Sequence, residues 1–192
     1  MNPDAIPQST SEIGDDIEVA KRVLKTEADA LLTLSGTLGE SFVKALDIFA
    51  NTKGRVIVSG MGKSGHIGKK IAATLASTGT PSFFVHPAEA SHGDLGMITE
   101  LDSILALSNS GETSELADIV AYCSRFNISL VAMTAVKPST LAKAADATVV
   151  LPDPLEACPM GLAPTTSSTM MLALGDAMAV ALLERRKFSS AD

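Results

Sequence analysis

From Arg55 onward the chain alternates short apolar runs with helix-length segments, and few folds accept that order. Val56–Val58, Ser82–Val85, Ile104–Leu107, Leu130–Met133 and Thr148–Leu151 read as five strands. Ser64–Ser77, Glu112–Arg125, Thr140–Ala145 and Thr165–Arg186 read as helices between and after them. The strands lack the in–out alternation of a half-exposed sheet, so both faces are expected to be covered. Short, doubly buried strands joined by helices predict a parallel, doubly wound α/β sheet. Ligands in such sheets bind beyond the carboxyl ends of the strands, near the point where strand order reverses. The composition agrees, with 46% hydrophobic but only 4% aromatic residues, so the filling is aliphatic. A chain of 192 residues supports one domain with a substantial core.

Residues 1–10 are polar with two prolines and are expected to be disordered. A single domain is expected over 11–188, with 189–192 as a tail. Ile17, Ala20, Leu24 and Leu31 mark an amphipathic helix starting near Ile13 and broken by Ser35-Gly36. A second helix is expected from Thr37 to Ala50, with Leu38, Phe42, Leu46 and Phe49 on one side. These two helices would either form an oligomerisation arm or cover the domain's own sheet. The net charge of −7 argues against a nucleic-acid or acidic-membrane surface, which needs basic stripes. Two cysteines form no disulfide framework, and no signal-like segment opens the chain, so a cytoplasmic setting is expected. Met170–Leu183 reads as a buried core or interface helix and not a membrane span, since Asp176 interrupts it.

Four segments carry candidate chemistry. After the third strand, Ser108, Ser110, Gly111 and Thr113 precede a helix, where unpaired N–H groups and the helix dipole favour an anion, phosphate being the usual one. A plain helix cap is the alternative, but one cap needs one hydroxyl and three are present. After the first strand, Gly60, Gly62 and Gly65 fit a dinucleotide fingerprint, but the acidic residue expected after the second strand is missing. A triphosphate-binding loop would need glycine at Ile57. The remaining readings are a turn that lets a phosphorylated ligand approach, with Lys63 as charge and Ser64 as donor, or close helix–strand packing.

After the second strand, His86, Glu89, His92 and Asp94 crowd into nine residues of what reads mostly as loop. General acid–base work suits them, and a metal site at His86, Glu89 and His92 is the weaker alternative. After the fifth strand, Glu156 lies in a loop, where a lone Glu is more often solvated surface; the alternative is that its Pro, Cys and Leu neighbours form an apolar setting that raises its pKa and suits it to act as a base.

In order along the chain, Gly-Met-Gly-Lys-Ser-Gly-His-Ile-Gly, His-Pro-Ala-Glu-Ala-Ser-His-Gly-Asp-Leu-Gly, Ser-Asn-Ser-Gly-Glu, and Glu-Ala-Cys-Pro with Leu-Ala-Pro-Thr resemble the sugar isomerase (SIS) domain of D-arabinose 5-phosphate isomerases. The resemblance runs from about residue 20 to the end. It implies a three-layer sandwich on a five-stranded parallel sheet, flavodoxin-like and doubly wound, preceded by the two N-terminal helices. It also implies interconversion of D-ribulose 5-phosphate and D-arabinose 5-phosphate, which feeds Kdo synthesis for lipopolysaccharide or capsule.

On this resemblance Ser108, Ser110 and Thr113 would hold the phosphate, with Gly62 and Ser64 beside it. Lys63, His92, Glu115 and Glu156 match the family's active-site positions. The implied assembly is a homotetramer whose sites are completed by a neighbouring subunit, with CMP-Kdo as a feedback ligand. Neither a metal nor an organic cofactor is called for.

The resemblance also implies a following His-Pro-Gly-Gly segment, whose His joins the site, and a tandem pair of CBS modules. Neither lies within these residues. The chain is therefore expected to be a shortened form, with weak or absent turnover but retained ligand binding. A sugar-phosphate sensor and another SIS-type isomerase or amidohydrolysing enzyme are the alternatives.

Overall fold

The computed structural model describes residues 10–153 and 155–186, with side chains from residue 14 onward. The expectations for residues 1–10 and for the 189–192 tail lie outside these residues, except that the first helix already includes Thr10. The helices are α1 (Thr10–Thr37), α2 (Glu40–Asn51), α3 (Gly62–Ser77), α4 (Pro87–Ser91), α5 (Ala117–Phe126), α6 (Thr140–Ala144) and α7 (Thr166–Arg185). The strands are β1 (Val56–Gly60), β2 (Ser82–Phe84), β3 (Ser103–Leu107), β4 (Ser129–Thr134) and β5 (Ala147–Val150). All five expected strands are present. They run parallel in the order β2-β1-β3-β4-β5, the flavodoxin-like arrangement, whose order reverses between β1 and β3.

Alternate residues of the buried strands feed two separate cores. Val56, Val58, Leu105, Leu107, Val131 and Met133 face a layer built from α1, α2, α3 and α7, with Phe49, Leu75, Met170 and Leu174 among its fully or nearly fully buried members. Ile57, Ile104, Ala106, Leu130 and Ala132 face the opposite layer, where Ala90 of α4, Ile119 and Cys123 of α5 and Leu141 of α6 pack. The period of two inside each apolar run is thus real, but both phases are apolar because both faces are covered.

α7 is long and apolar enough to cross a membrane by length and composition, yet half of its apolar window is buried inside the domain. It packs on α3 and α1, as expected of a core helix. α2 buries Ala45, Leu46 and Phe49 and packs on β5 and α7, so it covers the domain's own sheet. α1 behaves differently. It reaches α7, but Ile17, Val19, Leu24 and Leu32 remain exposed.

Two expected boundaries are corrected. Ser35-Gly36 does not end the first helix, which runs to Thr37; nothing lies within 4 Å of a Cβ built at Gly36. A solvent-facing glycine costs a helix only about 1 kcal/mol, which a 28-residue helix absorbs. The helix after β3 begins at Ala117 and not at Glu112, because a 3-10 turn over Ser114–Leu116 precedes it.

Candidate functional site

Because every strand is parallel, the loops after β1, β2, β3 and β5 emerge on one side of the sheet; those after β1 and β3 flank the strand-order reversal, and those after β2 and β5 lie at the two edges. Each of the four candidate segments lies there.

The loop after β3 is built by its own hydroxyls. Ser108 is buried, and its Oγ lies 2.7 Å from Thr113 Oγ1 and accepts the Gly111 N–H at 3.0 Å. Ser110 is exposed and its Oγ accepts the Glu112 N–H at 3.2 Å, which leaves the hydroxyl proton available to an anion. If Ser108 donates to Thr113, the Thr113 proton is likewise free to point outward. Gly111 sits at φ +69°, and a Cβ there would lie 2.1 Å from Ser139 Oγ, so glycine is required by both conformation and space. The loop is also tied to α6. The Glu112 carboxylate accepts Thr140 N at 2.8 Å and Thr140 Oγ1 at 2.6 Å, and Leu141 N donates to Gly111 O at 3.0 Å. These bonds hold Glu112 below its ordinary pKa, the Thr140 hydroxyl contributing most.

In the loop after β1, Gly65 and Gly68 are packing glycines. A Cβ at Gly65 would sit 2.6 Å from Gly60 O, and one at Gly68 would press on Phe84. Gly62 is different: it has φ +58° and open space where a Cβ would stand. The packing reading therefore holds for Gly65 and Gly68, while Gly62 leaves open space beside the backbone. Lys63 lies in the first turn of α3 and is exposed, while the Ser64 Oγ is half-buried and lies 3.7 Å from Met171 Sδ of α7.

The loop after β2 is more ordered than expected, forming α4 and a 3-10 turn over Asp94–Met97. His86 is an N-cap: its Nδ1 accepts the Ala88 N–H at 3.3 Å. His92 follows α4 as its exposed C-cap, and α4 packs on the 3-10 turn that carries Glu115. The metal alternative is not supported, since no three His, Cys, Asp or Glu gather to hold an ion among the described residues. Glu115 is exposed and accepts Ser114 Oγ at 3.0 Å; its own backbone N–H and that hydroxyl lower its pKa.

Glu156 is where the structure corrects the sequence most. Burial does raise its pKa, but four hydrogen bonds outweigh burial and hold the carboxyl below its ordinary range. The Ser167 hydroxyl donates to Oε1. Thr165 N, at 2.8 Å, Thr165 Oγ1, at 3.1 Å, and Ser167 N, at 3.4 Å, all donate to Oε2. The carboxylate thus sits on the N-terminus of α7, which favours an anion. Arg22 of α1 steadies the same loop by donating to Ala157 O at 3.1 Å.

Glu112, Arg22, Thr165 and Ser167 were not singled out from the sequence as site residues. The run of hydroxyls opening α7 was a capping signal, whereas Glu112–Thr140 and Arg22–Ala157 join positions too distant for any local pattern.

Comparison with known proteins supplies the family. The sequence model of the SIS domain matches residues 48–181. The chain is 56% identical over 178 residues to the arabinose 5-phosphate isomerase KdsD of Pseudomonas aeruginosa, covering 93% of this chain and 55% of that protein. It is 53% identical over 175 residues to the protein of the same name from Yersinia pestis, covering 91% and 53%. The chain therefore spans about half the length of the curated relatives it matches. A solved structure of E. coli CFT073 c3406 in complex with A5P superposes with a TM-score of 0.90 at 41% identity, covering 93% of this chain and 95% of that one. With the SIS model matched over residues 48–181, well over half of the chain, this chain belongs to the SIS domain family.

Proposed function

We propose that this domain is an aldose–ketose isomerase acting on D-ribulose 5-phosphate and D-arabinose 5-phosphate. The arrangement around the strand-order reversal carries the reading. An anion loop with free hydroxyl protons, Lys63 in the first turn of α3 and the low-pKa Glu156 all open at the carboxyl ends of the strands. The names of the relatives and the A5P bound by the E. coli CFT073 protein supply the substrate class.

Ser110 and Thr113 grip the phosphate, with Ser108 bracing Thr113 and with Gly62 and Ser64 beside it. The carbonyl end of the sugar then reaches toward Lys63, His92 and Glu156. Glu156 takes a proton from C1 of the ketose, and the C1–H electron pair becomes the C1=C2 bond of an enediolate. His92 gives a proton to O2 and takes one from O1, while Lys63 stabilises the negative charge on the oxygens. Glu156 returns its proton to C2, leaving an aldehyde at C1. Glu115, on the neighbouring turn, is the second candidate for the base. The scheme uses no metal or cofactor.

The product would supply an eight-carbon acid sugar, Kdo, for lipopolysaccharide or capsule in the cytoplasm, with CMP-Kdo as the feedback ligand. The assembly is a homotetramer, and apolar side chains left in water beside Glu156 support contact with another copy there: Leu155, Met160 and Leu162 are 86%, 74% and 78% exposed. Single exposed apolar residues are ordinary, but three flanking one site residue favour a covering surface. A neighbouring subunit there would complete the site.

Incubation with ribulose 5-phosphate tests the function. Weak formation of arabinose 5-phosphate is expected from these residues alone, and Glu156→Gln should slow it by about 10²–10⁴ with binding nearly intact. Binding without conversion would make the domain a sensor, and a different product would make it another isomerase.

A further inference from the structure

The two oxygens of the Glu156 carboxylate are held unequally. Oε2 receives three donors, two of them backbone N–H groups fixed by the first turn of α7. Oε1 has a single donor among the described residues, the Ser167 hydroxyl. A backbone N–H cannot turn away without unwinding the helix, whereas a serine hydroxyl turns about one bond. Ser167 itself is 2% exposed, so its side chain is fixed in place while its proton stays free to rotate.

We propose that Ser167 is a positioning residue for the isomerisation: Oε2 anchors Glu156 to α7, and Oε1 is the oxygen that exchanges the substrate proton once Ser167 releases it. The inference rests on the isomerase reading above. With Ser167 donating, Oε1 is a stabilised anion and a weak acceptor. When the hydroxyl turns away, the same oxygen gains proton affinity without moving, so the base is switched by one torsion and not by loop motion. A carboxylate hydrogen-bonded to the N-terminus of a helix is otherwise too well satisfied to accept a proton from carbon.

The charged surroundings do not provide an alternative switch at Oε1. On α1, Arg22 bonds the Ala157 carbonyl, and Asp29 lines a cleft with Asp153 and Leu155 of the Glu156 loop, whose lining does not include Glu156. The Glu156 loop itself carries Asp153 and Cys158. The first turn of α7 carries no charged side chain, and Asp176, further along, pairs with Lys70 at 2.6 Å. Lys63 opens α3, whose Ser64 touches Met171, one turn beyond Ser167.

The test compares the wild-type chain with Ser167→Ala and Ser167→Thr. Carbon-13 NMR of labelled glutamate follows the Glu156 carboxyl through its titration, and kcat/KM for ribulose 5-phosphate is recorded against pH. In Ser167→Ala the carboxyl should titrate at higher pH and the acid limb of kcat/KM should move up with it. Because the three donors on Oε2 still hold the carboxylate, kcat above the acid limb should be no lower than in wild type, with KM within about twofold. Ser167→Thr, which keeps the hydroxyl, should restore the wild-type midpoint and the wild-type acid limb.

An unchanged carboxyl titration in folded Ser167→Ala overturns the proposal. So does a shifted titration with an unmoved acid limb, which would leave the isomerase reading intact but remove Glu156 as its base. A wild-type chain that binds ribulose 5-phosphate but neither converts it nor exchanges its C1 proton with solvent at any pH overturns the isomerase reading and the proposal with it.

Discussion

Gly111→Ala is the substitution whose cost can be worked most directly from the geometry of the anion loop. Gly111 holds φ +69°, where an L-residue with a Cβ pays about 1–2 kcal/mol. The new methyl would lie 2.1 Å from Ser139 Oγ, 2.5 Å from Ser139 Cβ and 3.0 Å from Thr134 Oγ1. Ser139 and Thr134 are buried and cannot swing into solvent, so overpacking adds about 1–3 kcal/mol. A total loss of about 2–5 kcal/mol follows, lowering Tm by on the order of 10 °C for a domain of this size. Urea unfolding reads the stability and titration calorimetry with arabinose 5-phosphate reads the binding, which should weaken because Ser110 and Thr113 flank the displaced residue. Ser139→Gly is the control: glycine at this N-cap costs only a few tenths of a kcal/mol and opens the space. In the Gly111→Ala background it should recover the packing part, about 1–3 kcal/mol, and leave the backbone part. A Gly111→Ala chain as stable as wild type, or a loss that Ser139→Gly leaves untouched, refutes this reasoning.

Glu112→Ala should weaken arabinose 5-phosphate binding several-fold while sparing overall stability, because Glu112 joins the anion loop to Thr140 at an exposed edge; calorimetry showing unchanged affinity would remove Glu112 from the account. The two thiols should separate cleanly under a thiol reagent at mildly alkaline pH. Burial and then Asp146 push Cys123 up to about 12, so it should label only on unfolding. Backbone N–H groups of Ala163, Met160 and Leu162 hold Cys158 below its ordinary value, so it should label first, and equal rates would contradict this.

The fold was legible because its signals are local. Five apolar runs between helical segments name a parallel sheet, and each observed strand lies within two residues of the run that predicted it. The reversal between β1 and β3 then collects the glycine turn and the hydroxyl loop whatever their distance in sequence. What stayed hidden depended on partners far along the chain. The setting of Glu156 read as apolar because its neighbours in sequence are Pro, Leu, Ala and Cys; its actual environment is Thr165 and Ser167, nine and eleven residues on, across a loop. Burial was anticipated, but the hydrogen bonds that reverse its effect were not. Glu112 read as the first residue of a helix, whereas it closes a bridge to α6 and the helix begins at Ala117. Hydroxyls in a sequence announce capacity to bond without saying to what.

The proposed chemistry requires a base that removes a C1 proton from bound ribulose 5-phosphate. Proton NMR of that sugar with the chain in D2O measures this step alone, however slowly the full reaction runs. The account predicts stereospecific loss of one C1 proton to solvent, abolished in Glu156→Gln, with deuterium at C2 of any arabinose 5-phosphate formed. Ribulose 5-phosphate that binds but keeps both C1 protons would contradict it.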